Sequence, residues 1–239
     1  MVKVLVSDKL SPRAVEIFRD RGIEVDFKTG MTPAEIREII GQYDGLAIRS
    51  ATKATAELIE AAGNLKVIGR AGIGVDNVDL KAATAKGVVV MNTPFGNAIT
   101  TAEHAIAMMF AVARQIPQAN ESTHAGKWEK SKFMGVELTG KTLGVIGCGN
   151  IGSIAADRAV GLKMKVLAYD PFLSAERAVE IGVQKVTLEQ LLEQADFITL
   201  HTPLTDQTRN IINADAIARM NRVCVSSTVP AAAWSTRQP

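Results

Sequence analysis

The sequence predicts an α/β chain made of two doubly wound, mostly parallel sheets, one after the other along the chain. Three observations predict it. Short apolar runs alternate with amphipathic helical stretches from the first residues onward. The alternation breaks once, at Thr93-Pro94-Phe95-Gly96, where two strong structure breakers stand close together. It resumes at Lys141. Strands that alternate with helices require right-handed crossovers, and these give parallel sheets covered by helices.

In the first series Val2–Val6 reads as a strand and Ser11–Arg21 as a helix closed by Gly22. Glu24–Phe27 is the second strand, and Thr32 is placed to N-cap a helix over Pro33–Ile40. Strand Gly45–Ile48, helix Ala54–Ala62, strand Lys66–Gly69, helix Leu80–Lys86 and strand Val88–Met91 follow. The breaker cluster within Asn92–Asn97 sets a domain boundary near Asn97, giving domains of 1–97 and 98–239. One long helix is expected from about Ala98 to Asn120. The second series reads as strand Leu143–Ile146, helix Ile151–Leu162, strand Lys165–Tyr169, helix Leu188–Gln194, strand Phe197–Leu200 and a helix near Ala214–Met220. His124 is expected in a polar stretch between helices.

Composition narrows the function classes. The 239 residues carry a net charge of +2, which argues against a nucleic-acid partner. Two cysteines, Cys148 and Cys224, make no disulfide framework, as befits a reducing, cytoplasmic setting. The N-terminus has no signal-peptide pattern. The window Ala102–Ile116 is broken by Glu103, His104 and Arg114 and is too short to span a bilayer, so no membrane partner is expected. No metal site is expected.

Gly147-Cys148-Gly149-Asn150-Ile151-Gly152 matches the G-x-G-x-x-G dinucleotide fingerprint. The string gains meaning from its context: an apolar strand before it, a helical pattern after it, and Asp170 at the next strand's end, eighteen residues past Gly152. Gly147 permits the tight turn, Gly149 lets backbone approach a pyrophosphate, and Gly152 allows close helix–strand packing. N–H groups at Asn150 and Ile151, with the helix dipole, favour phosphate charge. Asp170 can accept from both ribose hydroxyls and would repel a 2′-phosphate, so NAD is the expected cofactor rather than NADP. Thr202, in His201-Thr202-Pro203 at a strand's carboxyl end, is a candidate donor to the dinucleotide, while His201 reads as a packing residue.

Further segments carry a resemblance. Leu46-Ala47-Ile48-Arg49-Ser50-Ala51-Thr52, Gly69-Arg70-Ala71-Gly72-Ile73-Gly74-Val75-Asp76-Asn77-Val78-Asp79, Met91-Asn92-Thr93-Pro94 and Gly126-Lys127-Trp128 stand beside the fingerprint. Together they resemble the D-isomer-specific 2-hydroxyacid dehydrogenases, from Val2 to about Met220. The resemblance implies a flavodoxin-like substrate domain, lacking its C-terminal return segment, and an incomplete Rossmann NAD-binding domain. It implies that Arg49 and Arg70 bind substrate anions and that backbone N–H groups of Ile73, Gly74 and Val75 hold a carboxylate. It further implies NAD-dependent oxidation of a phosphorylated 2-hydroxy acid, D-3-phosphoglycerate, at the entry to serine synthesis, by a homo-oligomer. The alternatives are a glyoxylate or hydroxypyruvate reductase of the same family and a non-catalytic, NAD-sensing, corepressor-like binding protein. Both arginines follow apolar strands, and a guanidinium suits phosphate or carboxylate. Gly72 and Gly74 allow a nest of backbone donors.

The resemblance stops near Met220. The family's acid–base histidine, its carboxylate partner and its substrate arginine would lie beyond, so no catalytic residue is assigned. Codons compatible with Val223–Pro239, read one nucleotide earlier, spell Gly-Val-Arg-Val-Val-Asn-Cys-Ala-Arg-Gly-Gly-Leu-Val-Asp-Glu-Ala-Ala. That string resembles the family's sequence at this place, with its arginine where Ala231 stands. A one-nucleotide frameshift after Met220 is therefore expected, leaving a sheet that ends at Phe197–Leu200 with a bare edge and a chain inactive as written.

Overall fold

A computed structural model describes residues 1–221 and 225–228. The chain divides into two compact units, Met1–Asn97 and a second beginning at Ala98. Among the described residues no helix is long and apolar enough to cross a membrane.

The first unit runs β1 (Lys3–Val6), α1 (Pro12–Asp20), β2 (Glu24–Phe27), α2 (Pro33–Ile39), β3 (Gly45–Ile48), α3 (Ala56–Ala61), β4 (Val67–Arg70), α4 (Leu80–Lys86) and β5 (Val89–Asn92). Its five strands are all parallel, in the order β2-β1-β3-β4-β5, the flavodoxin-like winding. β3 is buried along its whole length because helices cover both faces. Leu5, Leu46, Ile48, Ile59 and Ile68 pack on one side, while Val4, Val6 and Ala47 meet Phe18 and Leu10 on the other. Thr32 caps α2 in a reciprocal box: its hydroxyl accepts from the Glu35 N–H, and the Glu35 carboxylate accepts from the Thr32 N–H at 2.7 Å.

The second unit runs α5 (Ala98–Ala113), α6 (Ile116–His124), β6 (Thr142–Ile146), α7 (Asn150–Gly161), β7 (Lys165–Tyr169), α8 (Ala175–Glu180), β8 (Gln184–Lys185), α9 (Leu188–Gln194), β9 (Phe197–Leu200), α10 (Ala214–Arg219) and β10 (Val225–Thr228). The strand order is β10-β9-β6-β7-β8, again all parallel. Counted within the unit this is 3-2-1-4-5 read from the β8 edge, the leading strands of the Rossmann order. Alternate residues of β6 serve the two faces: Leu143 and Val145 join Met109 and Ala156, and Ile146 joins Leu191 and Ile198.

Three expectations need correction. The single helix over Ala98–Asn120 is two helices, which also places His124 at the end of α6 rather than between helices. Gln115 turns the chain with φ +52°, Pro117 occupies the first turn of α6, and the Ala113 carbonyl accepts instead from the Val136 N–H at 2.8 Å. Proline lacks the N–H that a continuous helix would need there. Second, α8 and β8 lie between β7 and α9, where no element is expected. Third, β9 is not the edge: β10 pairs with it in parallel from Val225↔Phe197 to Thr228↔Leu200. The ladder is made by backbone groups, which serine and threonine carry as well as valine does. Residues 222–224 and 229–239, the rest of the tail expected to be out of frame, lie outside the described residues.

Candidate dinucleotide and anion sites

In the second unit the winding reverses between β6 and β9, and a doubly wound sheet binds its ligand beyond the carboxyl ends of such a strand pair. The Gly147–Gly152 loop leaves β6 at that point, and His201-Thr202 leave β9. Gly147 adopts φ +87°, and a Cβ there would lie 2.7 Å from Thr202 Cγ2. A Cβ on Gly152 would collide with the Gly147 carbonyl oxygen, so α7 can start this close to β6 only with glycine at that position. Gly149 faces open space, as an approaching phosphate requires.

The start of α7 fits an anion. Gly149 is its N-cap, and no side chain caps it, so the first-turn N–H groups around Asn150 and Ile151 are not taken by a capping side chain. Asp170 is held by two backbone donors: the Cys148 N–H to Oδ2 at 2.8 Å and the Phe172 N–H to Oδ1 at 2.8 Å. Each carboxylate oxygen keeps a further lone pair for a ribose hydroxyl. Thr202 Oγ1 is buried without a hydrogen-bond partner among the described residues, so a ligand atom would satisfy it. The Cys148 thiol is pushed up to about 11, by burial first and by the Asp170 charge second, which leaves it inert at neutral pH. The imidazole of His201 is depressed to about 4 by burial, and its Nε2 lies 3.0 Å from Thr199 Oγ1.

In the first unit the reversal falls between β1 and β3, and Arg49 directly follows β3. Its side chain is exposed, with Nη1 3.5 Å from the Lys9 carbonyl. Arg70 ends β4 and folds across Gly72: a Cβ on Gly72 would collide with Nη1 and lie 2.8 Å from Cζ. Arg70 Nε is buried with no partner among the described residues. Among the described residues neither arginine is paired with a carboxylate. The N–H groups of Ile73, Gly74 and Val75 donate to no protein acceptor among those residues either. Asn92 ties this loop to β5 through its Nδ2, which donates to the Ile73 carbonyl at 2.7 Å. Sequence reasoning missed Asn92, Asp8 and Asn77 as loop anchors, although Asp8 and Asn92 each sit at a strand's carboxyl end.

A glycine-rich loop, a helix start that no side chain caps and a carboxylate held by two backbone donors, together at a switch point, define a dinucleotide-binding α/β unit. The family model described as D-isomer specific 2-hydroxyacid dehydrogenase, NAD binding domain, matches residues 106–225. The chain belongs to this family. It is 52% identical over 219 residues to the D-3-phosphoglycerate dehydrogenase of Archaeoglobus fulgidus, covering 92% of this chain and 42% of that one. The chain thus spans about two fifths of the length of the curated relatives it matches. Among solved structures, the TT0316 protein of Thermus thermophilus superposes with a TM-score of 0.85 at 33% identity, over 94% of this chain and 72% of that one. The cofactor (NAD+)-bound 3-phosphoglycerate dehydrogenase of Entamoeba histolytica gives 0.78 at 32%, over 95% and 72%.

Proposed function

We propose that the chain serves an NAD-dependent dehydrogenase that oxidises D-3-phosphoglycerate to 3-phosphohydroxypyruvate. The observation that carries this reading is the Arg70 guanidinium laid across Gly72 with its buried Nε, beside the N–H groups of Ile73–Val75, none of which has a partner among the described residues. Such a cradle suits a carboxylate or phosphate, and Arg49 at a neighbouring strand end adds the second positive charge that a doubly anionic substrate needs. The names of the curated relatives support the same substrate.

In this reading residues 1–97 bind the substrate, and Arg49, Arg70 and the N–H groups of Ile73, Gly74 and Val75 hold its anions. Asn150 and Ile151 N–H groups receive the pyrophosphate, Gly147, Gly149 and Gly152 make room for it, Asp170 accepts from the adenosine ribose and Thr202 donates to the dinucleotide. NAD, when bound, supplies the acceptor for the hydride that leaves the carbinol carbon. The chain's own groups orient the reactants; no proton-transfer residue is assigned. A small-molecule substrate, a cytoplasmic setting and a homo-oligomer complete the reading, the last supported by exposed Ile99, Met108, Val112 and Trp128.

Calorimetric titration tests it. The chain should bind NAD in preference to NADP, with Asp170→Ala narrowing the gap. Arg49→Ala and Arg70→Ala should each weaken D-3-phosphoglycerate binding about tenfold to a hundredfold, the loss of one charge-assisted contact. Equal affinity for the two dinucleotides, or unchanged substrate affinity in both arginine variants, would refute the corresponding part.

A further inference from the structure

The segment Arg49–Thr52 is gripped from two sides by side chains far away in sequence. On one side is the carboxylate of Asp8, only 5% exposed, just past the end of β1. It accepts from the Arg49 N–H at 2.6 Å, from the Thr52 N–H at 3.1 Å to each oxygen, and from the Thr52 hydroxyl at 2.6 Å. The Thr52 hydroxyl has a single proton, given to Asp8, so the 2.8 Å contact with Ser7 must be a donation from Ser7 Oγ. Burial alone would raise the Asp8 carboxyl, but the hydrogen bonds from Thr52, Arg49 and Ala51 outweigh it and hold the group below its usual value. Asp8 is therefore an ionised acceptor whose capacity is nearly filled by this one loop.

On the other side Asn77 Nδ2 donates to the Arg49 carbonyl at 2.6 Å and to the Thr52 carbonyl at 2.7 Å. Asn77 belongs to the loop that follows Arg70 and carries Ile73–Val75. The two loops are also stitched by backbone, with the Ala54 N–H donating to the Asn77 carbonyl at 2.8 Å and the Asp79 N–H to the Ala54 carbonyl at 2.9 Å. Both peptide faces of Arg49 are thus fixed, its N–H by Asp8 and its C=O by Asn77, while its side chain stays exposed.

We propose that Asp8 and Asn77 are positioning residues that clamp the Arg49 loop and couple it to the Ile73–Val75 loop, so that the two present their donors to one anionic substrate in a fixed register. The proposal rests on the anion-binding reading of Arg49 given above. Neither residue touches the substrate; each acts through the backbone that carries the guanidinium. Losing either leaves polar backbone groups of Arg49 and Thr52 without their partners and frees the loop.

The test is calorimetric binding of D-3-phosphoglycerate to Asp8→Asn, Asn77→Ala, Arg49→Ala and Asp8→Asn/Arg49→Ala, with hydrogen exchange of the peptide spanning 45–53 and NAD binding measured on the same samples. Asp8→Asn and Asn77→Ala should each weaken substrate binding about tenfold, speed exchange in that peptide and leave NAD affinity unchanged. In the Arg49→Ala background Asp8→Asn should cost nothing further, because its effect passes through Arg49. A merely structural role would give the same loss in both backgrounds, and that result overturns the proposal. So does unchanged substrate affinity in Asp8→Asn and Asn77→Ala while Arg49→Ala weakens it. Unchanged affinity in Arg49→Ala itself overturns the anion-site reading instead, and the clamp's part in binding falls with it.

Discussion

At the scale of single residues, His201 shows what burial does to a group with no charged partner among the described residues. Its folded value is near 4 against about 6.5 when exposed, so between those limits the unfolded chain binds the proton and the folded chain does not. Stability contributed by neutral His201 is therefore full above pH 6.5 and drains away as pH falls towards 4. Urea unfolding at pH 7 and pH 4.5 should show the parent losing about 2 kcal/mol more than His201→Asn, allowing for the residue's partial exposure. Equal losses would mean that His201 is protonated in the fold. The fingerprint residues were legible in sequence because each backbone demand, a positive φ at Gly147 and a close approach at Gly152, admits glycine alone at a fixed spacing. Asp8 and Asn77 were not. Their bonds to the Arg49 loop span 41 to 44 and 25 to 28 residues, and nothing local distinguishes a clamp aspartate from a turn aspartate.

At the scale of elements, the break between α5 and α6 carries a measurable strain. Gln115 sits at φ +52°, in the left-handed region, where a side chain crowds the following carbonyl. Gln115→Gly should stabilise the chain by about 0.5–1 kcal/mol in chemical denaturation, since glycine reaches that conformation freely. A loss of stability would show that the Gln115 side chain outweighs the strain. This break could be read from Pro117, a first-turn proline, but the strong apolar run through Ala113 masks it. β1, β3, β4, β6, β7 and β9 were legible because buried parallel strands are short, nearly continuous apolar runs. β8 has only two residues, Gln184 and Lys185, both exposed, and offers no apolar pattern at all. α8 precedes it with only Ala178 buried, too little for a visible stripe. β10 is held by backbone pairing, which leaves no mark in residue type.

At the scale of the whole molecule, each unit closes its own core on both faces of its own sheet. A ligand bound at the Gly147–Gly152 loop should therefore stabilise the second unit. With NAD at a hundred times its dissociation constant the gain is about 2.7 kcal/mol. Amide exchange in β6 and at the start of α7 should slow about a hundredfold wherever it needs that unit to open. No slowing there would mean that the dinucleotide binds elsewhere. The outer strands have a separate consequence, for how the chain behaves in a crowded solution. A sheet edge invites a neighbouring molecule to extend its ladder. β8 gives such a neighbour two residues to grip, with Lys185 bonded to the Leu173 carbonyl. Along β2, Glu24 and Asp26, paired with Lys3 at 3.0 and 3.1 Å, set charged side chains on the edge strand, which disfavours an added strand. At these two margins the molecule resists stacking into fibres by brevity on one and by salt on the other.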